Sequence, residues 1–549
     1  MPRLDDIQRQ DDLTVDSDVF IIGGGINGCG IARDAAGRGL RVTLAEMNDL
    51  ASATSSASTK LFHGGLRYLE YFEFRLVREA LAEREILLGA MPHVSWPLRF
   101  ILPVHSDLRF DNETPAARLL NRLLPWMKGR RPAWFIRVGL LLYDHMAGRN
   151  LLPGTRSLRL RDSPEGVPLD GRFTRAFEYS DCWIDDARLV VLNARDAAER
   201  GARIMTGTRV TAAFRGDDHW EINTTGEDGR ISTHRARTVV NASGPWVSQV
   251  AHDILGVRSI EKLRLVRGSH IVVRQLYGHD KCYILQGEDG RVVFTIPYEQ
   301  DFTLIGTTDE SHADVDVPPH CSDDETDYLL ASVSRFFKRP TMRDDIVWSY
   351  SGVRPLYDDG LRSAAATTRD YVLRLDGSGA PVLNVYGGKI TTYRRLAEAA
   401  LATVKPFFPS MGDPWTAHAP LPGGAFPVDG VDAIVRDLQR THPFLDRAWA
   451  LRLVRAYGTD ASLMLAGAIS RGDLGEDFGE TITARELDWT IRNEWVRTAE
   501  DYLWRRSKLG LRTNPRQVDR IRQFLKTAKD EETQGSPEFS KTEMKDQAN

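Results

Sequence analysis

Cysteine is scarce in this chain. Its 549 residues include four cysteines, at positions 29, 182, 282 and 321, and no two of them stand in a CxxC pair. This spacing indicates neither a zinc site nor a disulfide framework, and it fits a reducing compartment. The N-terminus is acidic and polar without the apolar core of a secretory signal, and no run approaches the roughly 18 apolar residues of a membrane-crossing helix. We therefore expect a cytoplasmic protein that spans no membrane.

An excess of positive charge is also absent. Lys and Arg number 72 against 76 Asp and Glu, which gives a formal net charge of -4. This balance argues against a general nucleic-acid binder. With 42% hydrophobic residues, a chain of this length can bury a large core and is expected to form two or three domains.

What the chain does contain is a glycine fingerprint in the stretch Val19–Glu46. An apolar run is followed directly by Gly23, Gly25 and Gly28 in the pattern GxGxxG. A helix beginning there directs free backbone NH groups at a pyrophosphate, and Glu46 follows at about the 20-residue distance where a carboxylate binds a ribose 2′-OH. The alternative is a glycine turn in another kind of α/β protein, but strand, helix and acidic residue are all in register. Because one such fingerprint is evident, we predict one bound adenine dinucleotide.

Two loops of small residues are predicted to line the same site. The stretch Leu50–Glu70 is rich in Ser, Thr and Ala and contains the sequence HGGLRY, although a flexible linker would have a similar composition. The stretch Val382–Thr392 runs from a strand into the loop GGKITT. Small side chains let the backbone approach a flat ligand closely.

The segment that precedes residue 150 combines apolar and basic residues in short helical pieces. Arg118–Lys128 and Arg130–Met146 contain clustered Leu, Trp and Phe together with Arg and Lys. Such helices can lie in a membrane interface, with the cations at lipid headgroups. Packing in an ordinary core is the alternative, and the sequence leaves both readings open.

A set of sequence blocks resembles the flavin-dependent, respiratory glycerol-3-phosphate dehydrogenases. The blocks are GGGINGCGIARDAAGRGL, ATSSASTKLFHGGLRYLE, FEYSDCWIDDARL, GSHIVV, IGTTD, SGVRPL, GGKITTYR and LGEDFG. They follow one another over nearly the whole chain. One departure is Arg109–Arg131, which is longer than the family pattern leads us to expect and whose role the sequence leaves open.

The resemblance implies an α/β fold: a glutathione-reductase-like FAD domain of Rossmann type, a D-amino-acid-oxidase-like mixed β substrate domain and a C-terminal helical cap. We predict residues 15–90, 170–255 and 345–405 for the FAD domain, 91–169 and 256–344 for the substrate domain, 406–529 for the helical domain and 530–549 for a disordered tail. The implied reaction is oxidation of sn-glycerol 3-phosphate to dihydroxyacetone phosphate, with hydride passing from C2 to flavin N5. The implied electron acceptor is a membrane quinone, with ubiquinone favoured, met by peripheral attachment to the inner face of the cytoplasmic membrane. A homodimer is also expected.

Chemistry and resemblance together select the substrate-binding residues. A phosphorylated polyol needs cations, and the loop cations available are Arg67, Arg354 and Lys389. We predict that Arg67 and Lys389, with the Tyr68 hydroxyl, bind the phosphate and that Arg354 holds the C2 oxygen. A second role for Lys389, beside flavin N1, stays open.

Oxidation of an alcohol also needs a base for the hydroxyl proton. His270, in GSHIVV, is the first candidate because histidine has a suitable pKa, and His63 is the second, although we favour a loop-bracing role for it. Besides His63, the residues predicted to bind FAD are Gly23, Gly25, Gly28, Glu46, Ser55, Ser56, Lys60, Leu61, Gly388, Lys389, Ile390 and Thr391.

Three other functions are weighed against this one. A glycerol-3-phosphate oxidase would pass the electrons to oxygen, and an amine or amino-acid oxidase on the same fold would use Arg354 to hold a carboxylate. A non-catalytic FAD-binding scaffold is less favoured, because it would need neither His270 nor Arg354 nor Lys389.

Overall fold

The computed structural model describes residues 16–105, 132–146, 151–257, 261–287, 290–358 and 370–534, and between 106 and 131 only residues 108, 114–116 and 122. Most of the predicted interface segments before residue 132 and the tail beyond residue 534 therefore lie outside the described residues. The described part of the chain contains helices and strands in alternation before residue 410 and mainly helices after it.

The described strands, in chain order, are β1 Ser17–Ile22, β2 Val42–Ala45, β3 Leu61–Phe62, β4 Ser95–Val104, β5 Arg156–Arg159, β6 Arg175–Ile184, β7 Arg203–Met205, β8 Thr208–Arg215, β9 Trp220–Gly226, β10 Ile231–Asn241, β11 Lys262–Arg274, β12 Cys282–Gln286, β13 Val292–Tyr298, β14 Phe302–Gly306, β15 Glu310–Ser311, β16 Ile346–Asp358, β17 Val372–Asp376, β18 Val382–Tyr386, β19 Asp477–Gly479 and β20 Ile482–Thr483.

The described α-helices of five residues or more are α1 Ile26–Gly37, α2 Phe74–Ala90, α3 Ala133–His145, α4 Asp186–Glu199, α5 Asp323–Ser334, α6 Tyr393–Val404, α7 Val431–Thr441, α8 Arg447–Tyr457, α9 Asp460–Met464, α10 Ala484–Glu494 and α11 Pro515–Gln534. Helix α4 begins after Asp185, whose side chain accepts a hydrogen bond from the Arg188 amide. This is the cap expected of an Asp at a helix start.

The first sheet carries the glycine fingerprint. Its order is β17-β18-β10-β1-β2-β7, with the hairpin β8-β9 attached to β10. Strand β1 pairs in parallel with both β2 and β10, and its apolar residues are buried, as is usual where helices cover a parallel sheet. Helix α1 packs against α4 and α6. The glycine loop therefore lies at the carboxyl ends of the central strands, where α/β sheets bind ligands.

The second sheet has the order β15-β11-β14-β13-β12-β4-β6-β3, with β16 paired to β11 and β5 paired to β6. Three of its strands, β3, β6 and β16, fall within the ranges predicted for the FAD domain. The pairing explains this difference, because β6 pairs with β4 along its full length and β16 with β11. A strand's apolar pattern shows that it is buried but does not reveal which sheet it joins.

The C-terminal helices enclose two apolar clusters of their own. Buried ion pairs fasten this region to the loop after β2 and to helix α4: Arg506 donates two hydrogen bonds of 2.8 Å to Asp49, and Arg188 pairs with Glu494. Helix α11 continues to Gln534, five residues into the stretch predicted to be a disordered tail.

Candidate active site

The glycine loop forms a cradle with no room for side chains. Gly23 has φ +110°, and a Cβ placed there would lie 2.6 Å from the Ala242 carbonyl oxygen. A Cβ on Gly28 would lie 1.9 Å from the Gly23 carbonyl oxygen. The Ile26 amide, in the first turn of α1, donates to the Ser55 hydroxyl at 3.0 Å, so the second loop closes over the helix start. Backbone NH groups and small residues thus converge where a pyrophosphate is expected.

Glu46 ends β2 as the fingerprint requires. Its carboxylate accepts hydrogen bonds from the Gly24 amide at 2.7 Å and the Asn48 amide at 2.9 Å. Burial raises the pKa of this carboxyl, while the two backbone donors oppose that rise. Glu46 therefore braces the glycine loop as well as lining the cavity beside it.

A cavity of about 1120 Å³ extends from this cradle toward the second sheet. The predicted site residues that line it are Gly23, Gly25, Glu46, Ser55, Ser56, Leu61, His63, Tyr68, Arg354, Gly388, Lys389, Ile390 and Thr391. The turn after β10, Ser243–Trp246, and Trp504 from the C-terminal region also contribute to its walls. The glycine cradle, the Glu46 carboxylate at the end of β2 and the cavity between the two sheets together fit FAD.

Two cations that were predicted to bind substrate reach this cavity. Lys389 Nζ lies 4.1 Å from the centre of the Tyr68 ring, and in the described part of the chain it makes no ion pair. Its charge is therefore available to an anion. The third predicted cation, Arg67, lies in the helical turn after Gly65, and its side chain is outside the described residues.

Arg354 is held by the neighbouring IGTTD loop. One guanidinium nitrogen donates to Asp309, and the other donates to the Thr307 hydroxyl at 3.1 Å. A Cβ on Gly268 would lie 2.4 Å from this guanidinium, so the glycine of GSHIVV makes space for it. The arginine is thus fixed at the cavity wall by partners in the loop between β14 and β15.

Lys60 was predicted to bind FAD, but its side chain lies away from the cavity. Its side chain is fully buried, pairs with Asp186 at 2.6 Å and lies 5.3 Å from the centre of the Tyr350 ring. It also donates to the Ser56 carbonyl at 3.1 Å. Lys60 does not line the cavity, and it braces the loop that does.

His270, the first candidate for the base, does not line the cavity either. It is 1% exposed, its ring stacks on Tyr350 with centroids 4.8 Å apart, and its Nε2 lies 3.0 Å from Thr59 Oγ1. Burial, with the charges of Arg354 and Lys60, holds the pKa of His270 well below its usual range. Thr59 and Tyr350 do line the cavity and separate it from the imidazole.

Two functional features escaped the sequence. Thr59 is one of many hydroxyl residues in its loop, and only its contact with His270 distinguishes it. The other is Tyr143 of α3, whose buried hydroxyl accepts from the Gly64 amide at 2.7 Å and donates to Asp181 at 2.8 Å. Tyr143 is 79 positions from Gly64 and 38 from Asp181, and no sequence pattern relates residues at such distances. The sequence therefore could not predict either hydrogen bond.

Comparison with known proteins agrees with this geometry. A family model described as "FAD dependent oxidoreductase" matches residues 18–394, and one described as "C-terminal domain of alpha-glycerophosphate oxidase" matches residues 414–533. The chain is 49% identical over 493 residues to D-erythritol 1-phosphate dehydrogenase of Brucella abortus, covering 89% of this chain and 94% of that protein. It is 49% identical over 512 residues to glycerol-3-phosphate dehydrogenase of Pseudomonas aeruginosa, covering 93% and 95%.

Among solved structures, the fold is similar to the X-ray structure of glycerol-3-phosphate dehydrogenase from Bacillus halodurans complexed with FAD. The TM-score is 0.70 at 26% identity, and the match covers 96% of this chain and 93% of that one. These matches confirm the predicted fold, with its C-terminal helical domain, and FAD as the cofactor. The chain belongs to the FAD-dependent glycerol-3-phosphate dehydrogenase family.

Proposed function

We propose that the protein oxidises sn-glycerol 3-phosphate to dihydroxyacetone phosphate. The observation that carries this proposal is that Lys389, Tyr68 and Arg354 line one cavity with the FAD-binding loops. When bound, FAD supplies at ring atom N5 the acceptor for the hydride that leaves C2. Lys389, without an ion pair of its own among the described residues, binds the phosphate, and Arg354 holds the C2 oxygen. Arg67 stays a predicted third phosphate ligand.

The hydroxyl proton leaves through Thr59. The substrate hydroxyl gives its proton to Thr59 Oγ1 as that hydroxyl passes its own to His270 Nε2, 3.0 Å away. The relay uses the tautomer in which Nδ1, buried without a partner among the described residues, carries the proton and Nε2 is the acceptor. His270 thereby serves as the base although it does not touch the cavity.

A second candidate substrate is D-erythritol 1-phosphate. The relative of that name is as similar to this chain as the glycerol-3-phosphate dehydrogenase is, at 49% identity each. Both substrates present a phosphate to Lys389 and a secondary alcohol to the flavin. The two differ by one hydroxylated carbon, so the ratio of their kcat/KM values decides between them.

The test is an anaerobic absorbance spectrum of the FAD-loaded protein before and after each substrate is added. We expect sn-glycerol 3-phosphate to bleach the oxidised-flavin band fastest. Faster bleaching by D-erythritol 1-phosphate would reassign the substrate. Flavin that dithionite reduces but neither phosphate reduces would refute the proposal, and amino acids and amines would be screened next. An Arg354→Ala variant that reduced no flavin but kept all its biological activity would favour a non-catalytic scaffold role.

We further propose that the electrons pass to a membrane quinone and that α3 brings the protein to the bilayer. The helix buries Ile136 and Leu140 on its inner side. Its outer side exposes Trp134, Val138, Leu141 and Leu142, with exposed fractions from 42% to 55%. The two alternatives from the sequence were a membrane-interface helix and an ordinary core helix. Helix α3 has features of both, because one face packs in the core and the other faces solvent.

Aromatic residues extend this outer face. Phe72 and Phe74, 45% and 43% exposed, directly follow the helical turn Leu66–Tyr71, which packs against α3. None of the described helices is long and apolar enough to cross a bilayer. An amphipathic helix with a Trp on its apolar face is suited to lie in the plane of a membrane interface.

A Val138→Glu, Leu142→Glu double variant tests this attachment. We expect loss of vesicle binding with unchanged flavin reduction by substrate, because both side chains are exposed. Retained vesicle binding would exclude α3 as the anchor. Turnover with a quinone analogue and without peroxide would favour the quinone, and peroxide formation would favour the oxidase. A homodimer stays a prediction from the family resemblance, to be tested by light scattering.

A further inference from the structure

A cluster of arginines lies on the second sheet, away from the FAD cavity. The register of β5 against β6 places Arg159 directly opposite Arg175, at the edge of the sheet. Arg161 follows two residues after Arg159. These three arginines, with Asp162 and Thr174, line a surface hollow of about 480 Å³. We call this feature the arginine hollow.

Like charges directly opposite each other destabilise a strand pair unless something neutralises them. Elsewhere on this sheet the chain supplies the neutralising group: Arg156 pairs with Glu178 at 2.5 Å and Arg99 pairs with the same carboxylate at 2.8 Å. In the described part of the chain, by contrast, the side chains of the arginine hollow make no ion pair or hydrogen bond. One carboxylate, Asp162, stands among three guanidinium groups, so the hollow carries excess positive charge.

The hollow lies beside the helix that exposes the apolar face. The Thr155 amide donates to Asp144 near the end of α3, and Arg137 near its middle donates to Ser157. Strand β5 therefore runs alongside α3 in the opposite direction. Beyond Ser157, β5 continues toward the N-terminal end of α3, so Arg159 lies toward that end. The exposed Trp134 is in the first turn of α3.

We propose that the arginine hollow binds the phosphate group of an anionic phospholipid. Guanidinium groups bind phosphate oxygens in bidentate fashion, and several arginines around one phosphate outweigh a single carboxylate. In an interface helix the apolar face enters the acyl boundary, while cations beside it meet the headgroups. This proposal rests on the membrane attachment proposed above and adds a lipid preference to it.

Vesicle sedimentation with FAD-loaded protein tests the proposal. The vesicles contain phosphatidylcholine alone or phosphatidylcholine mixed with phosphatidylglycerol. The variant is Arg159→Gln, Arg161→Gln, Arg175→Gln, and Arg161→Gln alone serves as a milder version outside the strand. The matched control is Arg516→Gln, an exposed arginine on α11 of the C-terminal region.

We expect wild-type protein to bind the anionic vesicles more tightly than the neutral ones. Each arginine near an anionic surface contributes about fivefold, so the triple variant should lose on the order of 100-fold in affinity for anionic vesicles. Its binding to neutral vesicles, its FAD content and its flavin reduction by substrate should match the wild type. Arg161→Gln should lose about fivefold, and the control should lose nothing.

Four results would overturn the assignment. Equal loss in Arg161→Gln and in the control Arg516→Gln, which each remove one charge, would mean that only general surface charge matters. Release of wild-type protein from anionic vesicles by inorganic phosphate, but not by chloride of equal ionic strength, would mean a site for a soluble anion. Wild-type binding to both vesicle types without preference would refute the lipid site while leaving α3 attachment intact, whereas no binding to either would refute the attachment itself.

Discussion

Replacing Thr59 by Val tests the proposed proton path most directly. The change keeps the branched shape and removes a hydroxyl that lines the cavity and lies 3.0 Å from His270 Nε2. A positioned acid or base contributes roughly 10² to 10⁴ in rate, so we expect the rate of flavin reduction to fall at least about 100-fold. That loss corresponds to about 2.7 kcal/mol of activation free energy. Substrate affinity should change little, because Lys389 and Arg354 are untouched.

The assay is anaerobic stopped-flow bleaching of the flavin band across substrate concentrations, which separates the reduction rate from binding. A Thr208→Val variant is the matched control, since Thr208 lines the same cavity beside Glu46 but donates to the Thr206 carbonyl. It should reduce flavin within about threefold of the wild-type rate, as expected of a group outside the reacting centre.

A double variant shows whether Thr59 acts through His270. If both belong to one path, Thr59→Val combined with His270→Asn should be no slower than the slower single variant, because groups that act as a unit are not additive. Wild-type rates in Thr59→Val would refute the relay. Strictly additive losses would mean that His270 and Thr59 act separately.

Three further results are expected from the same structure. Tyr143→Phe removes the acceptor of the buried Gly64 amide, so the free energy of unfolding, measured in urea, should fall by about 1–3 kcal/mol. The KM for substrate should rise, because that amide precedes the loop with the predicted phosphate ligands. An unchanged KM would show that α3 does not influence substrate binding. Lys60→Met leaves the charge of Asp186 buried and unpaired, and the free energy of unfolding should fall by about 3–5 kcal/mol in the same assay. A loss below about 1 kcal/mol, which is the range for exposed ion pairs, would contradict the buried pairing. The pKa of His270 is held well below its usual value, so the ring stays neutral until the pH falls through that lowered pKa. The flavin reduction rate should therefore not decline as the pH falls through about 6.5, the usual pKa of histidine, but only at lower pH. An acid limb centred at or above about pH 6.5 would contradict His270 as the base.

The glycine loop and the acidic residue after β2 could be predicted from local sequence because their requirements are local. Gly23 and Gly28 are needed where backbone atoms leave no room for a Cβ, and Glu46 stands at the end of the next strand. Each of these requirements fixes a residue type at a fixed spacing. The late loop before α6 follows the same logic.

The sequence was less successful for residues whose role depends on which face of a loop or strand their side chain occupies and on distant residues that contact it there. Lys60 and His270 were both predicted to contact FAD or substrate, and both are buried behind the cavity wall. A lysine in a Ser-rich loop has the same local pattern whether it meets a ligand or a buried carboxylate. Asp186, which decides between these outcomes for Lys60, is 126 residues away along the chain.

By itself, the sequence determined the glycine cradle, the acidic end of β2, the loops that line the cavity and the amphipathic character of α3, because each depends on backbone geometry or periodicity within a few turns. Tertiary structure alone decided that β6 and β16 join the second sheet, that Thr59 stands between the cavity and His270, and that Arg159 faces Arg175. These contacts join residues far apart in the chain. They arise when the two sheets pack and pair, and pairing depends on the shape and polarity of both partners, which neither segment encodes alone.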